Sequence, residues 1–260
     1  MPRHLDRIAL GVVVAVVLAA CSGTTASPSQ GASSQPSQAA PSVAASASAG
    51  PTPLAGCVPA CVHALTVPGD LAAGEYQTVN FFGGRMQVTL QGQWSSHEDS
   101  TGEFQLSPTS RPADGIYFWE DVYPVDQGAR VDGVPLTVSG ILGWLQGDSN
   151  FVISAPEAGS IGAGVPATVV DLSIAAGAVN DDPGCPVGTC LNFLGFPQWN
   201  PPGVWGIAGT QVQRIYLADV SYGGVTHLFV VVIYPDDPAN MDSLRQLAEP
   251  MIGSVRVPVE

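Results

Sequence analysis

Beyond residue 20 this sequence holds three histidines, His63, His97 and His227, and acidic doublets that include Glu120-Asp121, Asp181-Asp182 and Asp236-Asp237, the last followed by Asp242. These are the residues able to move a proton or hold a cation. A Gly-x-Ser-x-Gly elbow, a Ser-x-x-Lys pair and a His-Glu-x-x-His zinc helix are all missing, and so is lysine altogether. His227 sits in an apolar run that reads as a strand, the setting of a structural histidine. His97-Glu98-Asp99, after Trp94, reads as a polar loop, a solvated turn before a metal or base site. The acidic doublets lack the alternating ligand spacing of a calcium loop. Asp236-Asp237 has a simpler role beside a helix N-terminus, where negative charge is stabilised. Gly162-Ala163-Gly164-Val165-Pro166-Ala167 has the outline of a dinucleotide fingerprint, but Pro166 would fall inside the helix that must follow, so these glycines read as a turn before a strand. No catalytic residue, metal ligand or cofactor is assigned.

Two chemistries stay open because their parts meet only in space. Paired carboxylates about 5–9.5 Å apart would hydrolyse a glycan. Phe193, Phe196, Trp199 and Trp205 crowd a Pro/Gly-rich stretch from about Gly184 to Trp205. Exposed on a loop, these rings would stack on a sugar or receive a partner; folded inward, they would be a satellite core.

Cys57, Cys61, Cys185 and Cys190 are an even number of thiols, which in an exported chain reads as two disulfides. Three connectivities are open. Pairing Cys57 with Cys61 and Cys185 with Cys190 closes two small loops, each worth about 2 kcal/mol, against about 4–5 for the long crossed closures. Pro186 and Gly188 favour a tight turn and hence the local pairing. A four-thiolate zinc site lacks a histidine nearby, and a redox pair would want Cys-x-x-Cys beside a βαβ unit.

The fifth cysteine has a different setting. Arg3, His4 and Arg7 form a basic start, Ile8 to Ala20 is uncharged and apolar, and Leu18-Ala19-Ala20-Cys21 closes it. The apolar part is too short for a span of about 20 residues. Leu18-Ala19-Ala20-Cys21 resembles the lipobox of bacterial lipoproteins. That resemblance implies a signal peptide over 1–20, diacylglycerol on Cys21, and anchoring to the extracytoplasmic side of the cell membrane. From Ser22 to Gly56 the chain is almost only Ser, Ala, Pro, Gln, Gly and Thr, without charge or aromatic ring, so 21–56 reads as the lipidated cysteine and a disordered tether. As a flexible coil it would span roughly 30–35 Å.

All eight basic residues are arginine; six of them and 21 of the 22 acidic residues lie from Cys21 onward, a formal charge of −15 for that part. Such a field repels phosphate backbones and anionic lipid heads, which excludes nucleic acid as a partner. The expected partners are the bilayer, through acylated Cys21, and a protein or a glycan.

Residues 57–260 read as one globular domain. Candidate strands are Met86–Leu90, Ile116–Trp119, Phe151–Ser154, Ala167–Ile174, Gln211–Val220, Val225–Tyr234 and Ser254–Val259, with a hairpin through Ser221-Tyr222-Gly223-Gly224. A short helix is expected near Ser139–Gln146. A second starts at Pro238, carries Met241, Leu244, Leu247 or Ala248, and Met251 at three-to-four spacing, and ends with Pro250 and Gly253. The expected class is α+β, a mainly antiparallel sheet with two helices, one near the C-terminus; the alternative is an all-β sandwich. The opening strand and turn before Trp94 and the closing helix-Gly253-Ser254-Val255 segment resemble PsbP-like domains of exported lipoproteins, with the insertion around 177–206 departing from that pattern. The resemblance implies a helix-covered antiparallel sheet without catalytic residues. The expected function is thus a non-enzymatic accessory or binding module; the alternatives are a glycan hydrolase and a calcium-stabilised structural domain.

Overall fold

The run Val225–Tyr234 carries large apolar side chains on both alternating sets, and a strand of period two with such a pattern must bury both faces. Leu228, Val230 and Val232 pack into one core, and Phe229, Val231 and Ile233 into another on the opposite side of a central sheet. The computed structural model describes residues 62–65, 67–182, 184–185, 187–197 and 203–257, all within the unit Ser48–Glu260. Cys21, the tether, Cys57, Cys61 and Trp199 lie outside the described residues.

Among the described residues the elements run β1 (Val62–Ala64), β2 (Gly69–Leu71), β3 (Gly74–Gln77), β4 (Gln87–Leu90), β5 (Trp94–Asp99), β6 (Glu103–Pro108), β7 (Gly115–Glu120), β8 (Tyr123–Asp126), β9 (Ala129–Arg130), α1 (Val138–Gly147), β10 (Phe151–Ile153), β11 (Glu157–Ile161), β12 (Val165–Ile174), β13 (Cys190–Phe196), β14 (Gly203–Ala208), β15 (Val212–Tyr222), β16 (Val225–Tyr234) and α2 (Met241–Ile252). The central sheet is antiparallel, in the order β10-β12-β15-β16-β7-β6-β5-β2, with β11 folded back on β12. One face is covered by α2, through Leu244, Ala248, Met251 and Ile252, and by the small sheet β1-β3-β4. The other is covered by α1, through Ile141 and Leu145, and by the sheet β14-β13-β8-β9. The fold is therefore mostly β, antiparallel sheets with two helices, one of them C-terminal, and it accords with the sandwich alternative.

The long hairpin forms as expected: Tyr222 pairs with Val225, and Gly223 and Gly224 take the positive φ that the turn requires. Thr137 caps α1, accepting from the Gly140 N–H. Asp237 accepts from the Ala239 N–H above Pro238, and a short 3₁₀ turn leads into α2.

Three expectations need correction. Pro250 does not end the second helix but sits in its last turn, which runs to Ile252. Ser254–Val259 forms no strand among its described residues: a single bridge joins Arg256 to Gln87, and the Ser254 hydroxyl, bonded to both the N–H and the carbonyl of Thr89, replaces the next ladder pair. His97-Glu98-Asp99 is no loop but the end of β5, whose bulge between Ser96 and Glu98 breaks the alternation. Asp99 is buried there because its carboxylate accepts the N–H groups of Val79, Asn80 and Phe81.

Candidate functional site

The β8–β9 hairpin, the C-terminal end of α1 and the segment leading into β13 converge on one cleft. One cavity, about 360 Å³, is lined by Asp126, Gln127, Asp148, Asn150, Asn180, Asp181 and Asn192, together with the apolar Phe151, Val179 and Leu191. An adjoining groove of about 520 Å³ shares Asp126, Gln127, Asp148 and Asn150 and adds Trp144, half-buried against Phe151. Three carboxylates and four side-chain amides line this surface, and no arginine does.

Local hydrogen bonds set these side chains in place. Gln127 and Gly128 turn the β8–β9 hairpin with positive φ. Asp148, just after α1, accepts from the Asn150 N–H at 2.9 Å, and Asn150 accepts from the Val179 N–H. Asn180 accepts from the Cys190 N–H at 2.7 Å, and both oxygens of Asp181 accept the Asn192 N–H at 3.0 Å. Burial raises the Asp181 carboxyl above its ordinary range; the Asn192 N–H opposes the shift, and the charges of Asp126 and Asp182 add to it. Cys185 and Cys190 are bonded, with Cα atoms 5.6 Å apart, closing the loop that enters β13.

Of the four rings weighed for a docking loop or a satellite core, Phe193, Phe196 and Trp205 pack inward. Phe193 and Phe196 are fully buried in β13, Phe193 against Phe151 and Phe196 against Trp119. Trp205, on β14, packs against Tyr117, Trp119 and Tyr234, and its indole N–H donates to Gln213. These rings are the second core, the inward-folded arrangement. Phe193 and Phe196 are buried, and Trp205 half-buried, because β13 and β14 form a sheet laid over the central one. Trp205 and Tyr234 also border a smaller pocket of about 230 Å³ beside Asp182 and Cys190.

A second cluster joins residues that the sequence keeps apart. Glu120 ends β7, Asp121 follows it, and His227 opens β16. His227 Nδ1 lies 2.9 Å from Glu120 Oε1 and 2.8 Å from Asp121 Oδ2. The Tyr222 hydroxyl donates to Glu120, and its ring stacks on the imidazole with centroids 4.2 Å apart. Burial raises the Glu120 carboxyl, while the Tyr222 hydroxyl and His227 lower it and Asp121 raises it. Among the described residues this trio is the group of His, Cys, Asp and Glu side chains close enough to hold a metal ion. Reading His227 as structural and the acidic doublets only for calcium-loop spacing missed it, because only the cross-strand register brings them together. The remaining acidic doublet, Asp236-Asp237, has the helix-cap role expected of it.

No protein-family model matches the chain, and no curated protein matches it significantly. A solved structure from Bacteroides thetaiotaomicron VPI-5482 aligns with 67% of the chain at 10% identity and a TM-score of 0.31; the aligned part spans 46% of that protein's length.

Proposed function

We propose that this chain is an exported lipoprotein, anchored to the extracytoplasmic side of the cell membrane through acylated Cys21, whose globular part is a non-enzymatic binding module. Its ligand is a polyhydroxylated molecule of the cell envelope, neutral or amine-bearing, held in the cleft between α1 and the disulfide loop. The observation that supports this reading is the lining of that cleft: carboxylates and amides at fixed positions beside a half-buried indole ring. Asp and Asn side chains accept from sugar hydroxyls, and Asn and Gln amides donate to them, so one planar group can serve two neighbouring hydroxyls. The Trp144 ring offers an apolar surface to the C–H face of a sugar ring. Three carboxylates with no arginine among them disfavour phosphates, sulfates and uronates.

Binding, not hydrolysis, fits the engagement of these groups. Asp181, whose raised carboxyl would be the natural acid, spends both oxygens on the Asn192 N–H, and Asp148 is tied to Asn150. The test is a thermal-shift and product assay with neutral, amine-bearing and uronate oligosaccharides. Stabilisation by one of the first two classes, with the saccharide recovered intact, supports the reading. Shortened saccharide would establish the hydrolase alternative instead, and no shift with any of them would leave the binding reading without a ligand. The anchor has its own check: metabolic labelling with palmitate should mark the chain and fail with Cys21→Ala.

A further inference from the structure

We infer that Glu120, Asp121 and His227 form a binding site for a divalent first-row transition ion, Zn2+ or Mn2+ in preference to Ca2+. This goes beyond the cleft reading and is independent of it. Two carboxylate oxygens converge on one imidazole nitrogen, His227 Nδ1, at 2.9 and 2.8 Å. A single Nδ1 carries at most one proton and cannot donate fully to both. An ion bonded at about 2.0–2.2 Å, by contrast, sets neighbouring ligand atoms roughly 2.8–3.5 Å apart, close to the spacing of Nδ1 from each of the two oxygens. All three donor atoms lie within 4.8 Å of one another.

Burial and orientation point the same way. The Glu120 side chain is only 10% exposed. Each donor has a further contact, and for Glu120 it falls on Oε1, the same oxygen that faces His227. Asp121 uses Oδ1 to accept the Leu228 N–H at 3.0 Å, and its own N–H bonds the Leu228 carbonyl at 2.9 Å, which leaves Oδ2 directed at His227. Tyr222 fixes Glu120 by its hydroxyl and the imidazole by stacking, the supporting role that outer groups play around bound metals. The imidazole separates this cluster from the all-oxygen doublets at Asp181-Asp182 and Asp236-Asp237. Calcium takes oxygen ligands, whereas a mixed nitrogen and carboxylate set suits the first-row ions. The Asp121 side chain is 38% exposed, so an ion held there would keep coordination positions open to solvent.

The experiment is a titration of the chelator-treated full chain with Zn2+, Mn2+, Co2+ and Ca2+ by calorimetry. It is paired with visible absorption of the Co2+ form and histidine nitrogen NMR with Zn2+. The expected result is one equivalent of transition ion bound at least tenfold tighter than Ca2+, a Co2+ ligand-field band, and a shift at His227 Nδ1. His227→Gln and Asp121→Asn should weaken binding at least tenfold, while Asp242→Asn, on the exposed side of α2, leaves it unchanged. The NMR and Co2+ readings on the wild-type chain stand even if a variant fails to fold. No transition-ion binding, binding unaltered in folded His227→Gln, or a preference for Ca2+ would overturn the inference.

Discussion

Both carboxylate oxygens of Asp181 accept the backbone N–H of Asn192, each at 3.0 Å, and the Asn192 amide returns a bond to the same carboxylate. This contact ties the wall of the cleft to the strand that carries the disulfide loop. Removing the carboxylate leaves a half-buried N–H without its partner, so Asp181→Ala should lower stability by about 1–2 kcal/mol. Asp181→Asn, which keeps an acceptor, should lose less. Chemical denaturation checks both.

The same carboxylate predicts a pH dependence. Its raised position means the folded state keeps this proton to higher pH than the unfolded chain does. That contribution favours folding at low pH and is lost as pH rises from the ordinary value of 3.8 upward through the folded-state value. The stability of the wild type minus that of Asp181→Asn should therefore fall across this window and level off above it. A rising difference would contradict the assignment.

Trp144 and Trp205 should separate ligand contact from core. Trp205 fills a ring cluster with Tyr117, Trp119 and Tyr234, and Trp205→Ala should cost about 3 kcal/mol or more by leaving a cavity and a Gln213 Oε1 without its indole donor. Trp144→Ala should cost markedly less stability yet weaken saccharide binding at least tenfold. Denaturation and binding measured on the same preparations test the split.

Asp99 is the best-connected carboxylate outside the cleft. It accepts three successive N–H groups, from Val79, Asn80 and Phe81, where the chain turns under the first core. Asp99→Ala orphans all three and should destabilise by about 2–4 kcal/mol. Asp99→Asn, with one acceptor oxygen left, should fall between. Melting curves of the two variants give the order.

The Cys185–Cys190 bond closes a small loop and should contribute about 2 kcal/mol. Because the loop enters β13 beside Asn180 and Asn192, replacing both cysteines with serine should weaken ligand binding more than it lowers the melting temperature. A variant with unchanged affinity would detach the loop from the cleft.

How much of this was legible depended on whether one strand carried its own signal. Val225–Tyr234, Gln211–Val220 and Ala167–Ile174 announce themselves because each is rich in β-branched or aromatic residues, and α2 because Leu244, Ala248 and Met251 recur along one face. β13 and β14 were hidden by Gly195 and Gly206, weak strand formers in isolation. Gly195 is needed because a Cβ there would lie 2.2 Å from the Tyr123 ring. β5 was hidden by polar residues whose burial depends on Asp99 meeting a distant turn. The cleft draws side chains from β8, the end of α1 and β13, and the Glu120–His227 pair depends on the register between β7 and β16. Neither arrangement exists in any local stretch of sequence.

The ligand site proposed for this chain is the cleft between α1 and the disulfide loop. Backbone amide NMR during titration with a neutral or amine-bearing envelope saccharide would locate the site on the surface. Saturable shifts are expected at Asp126, Asp148, Asn150, Asp181 and Asn192, with the Trp144 indole among them. Shifts gathered on another surface, or none at saturating saccharide of every class, would contradict it.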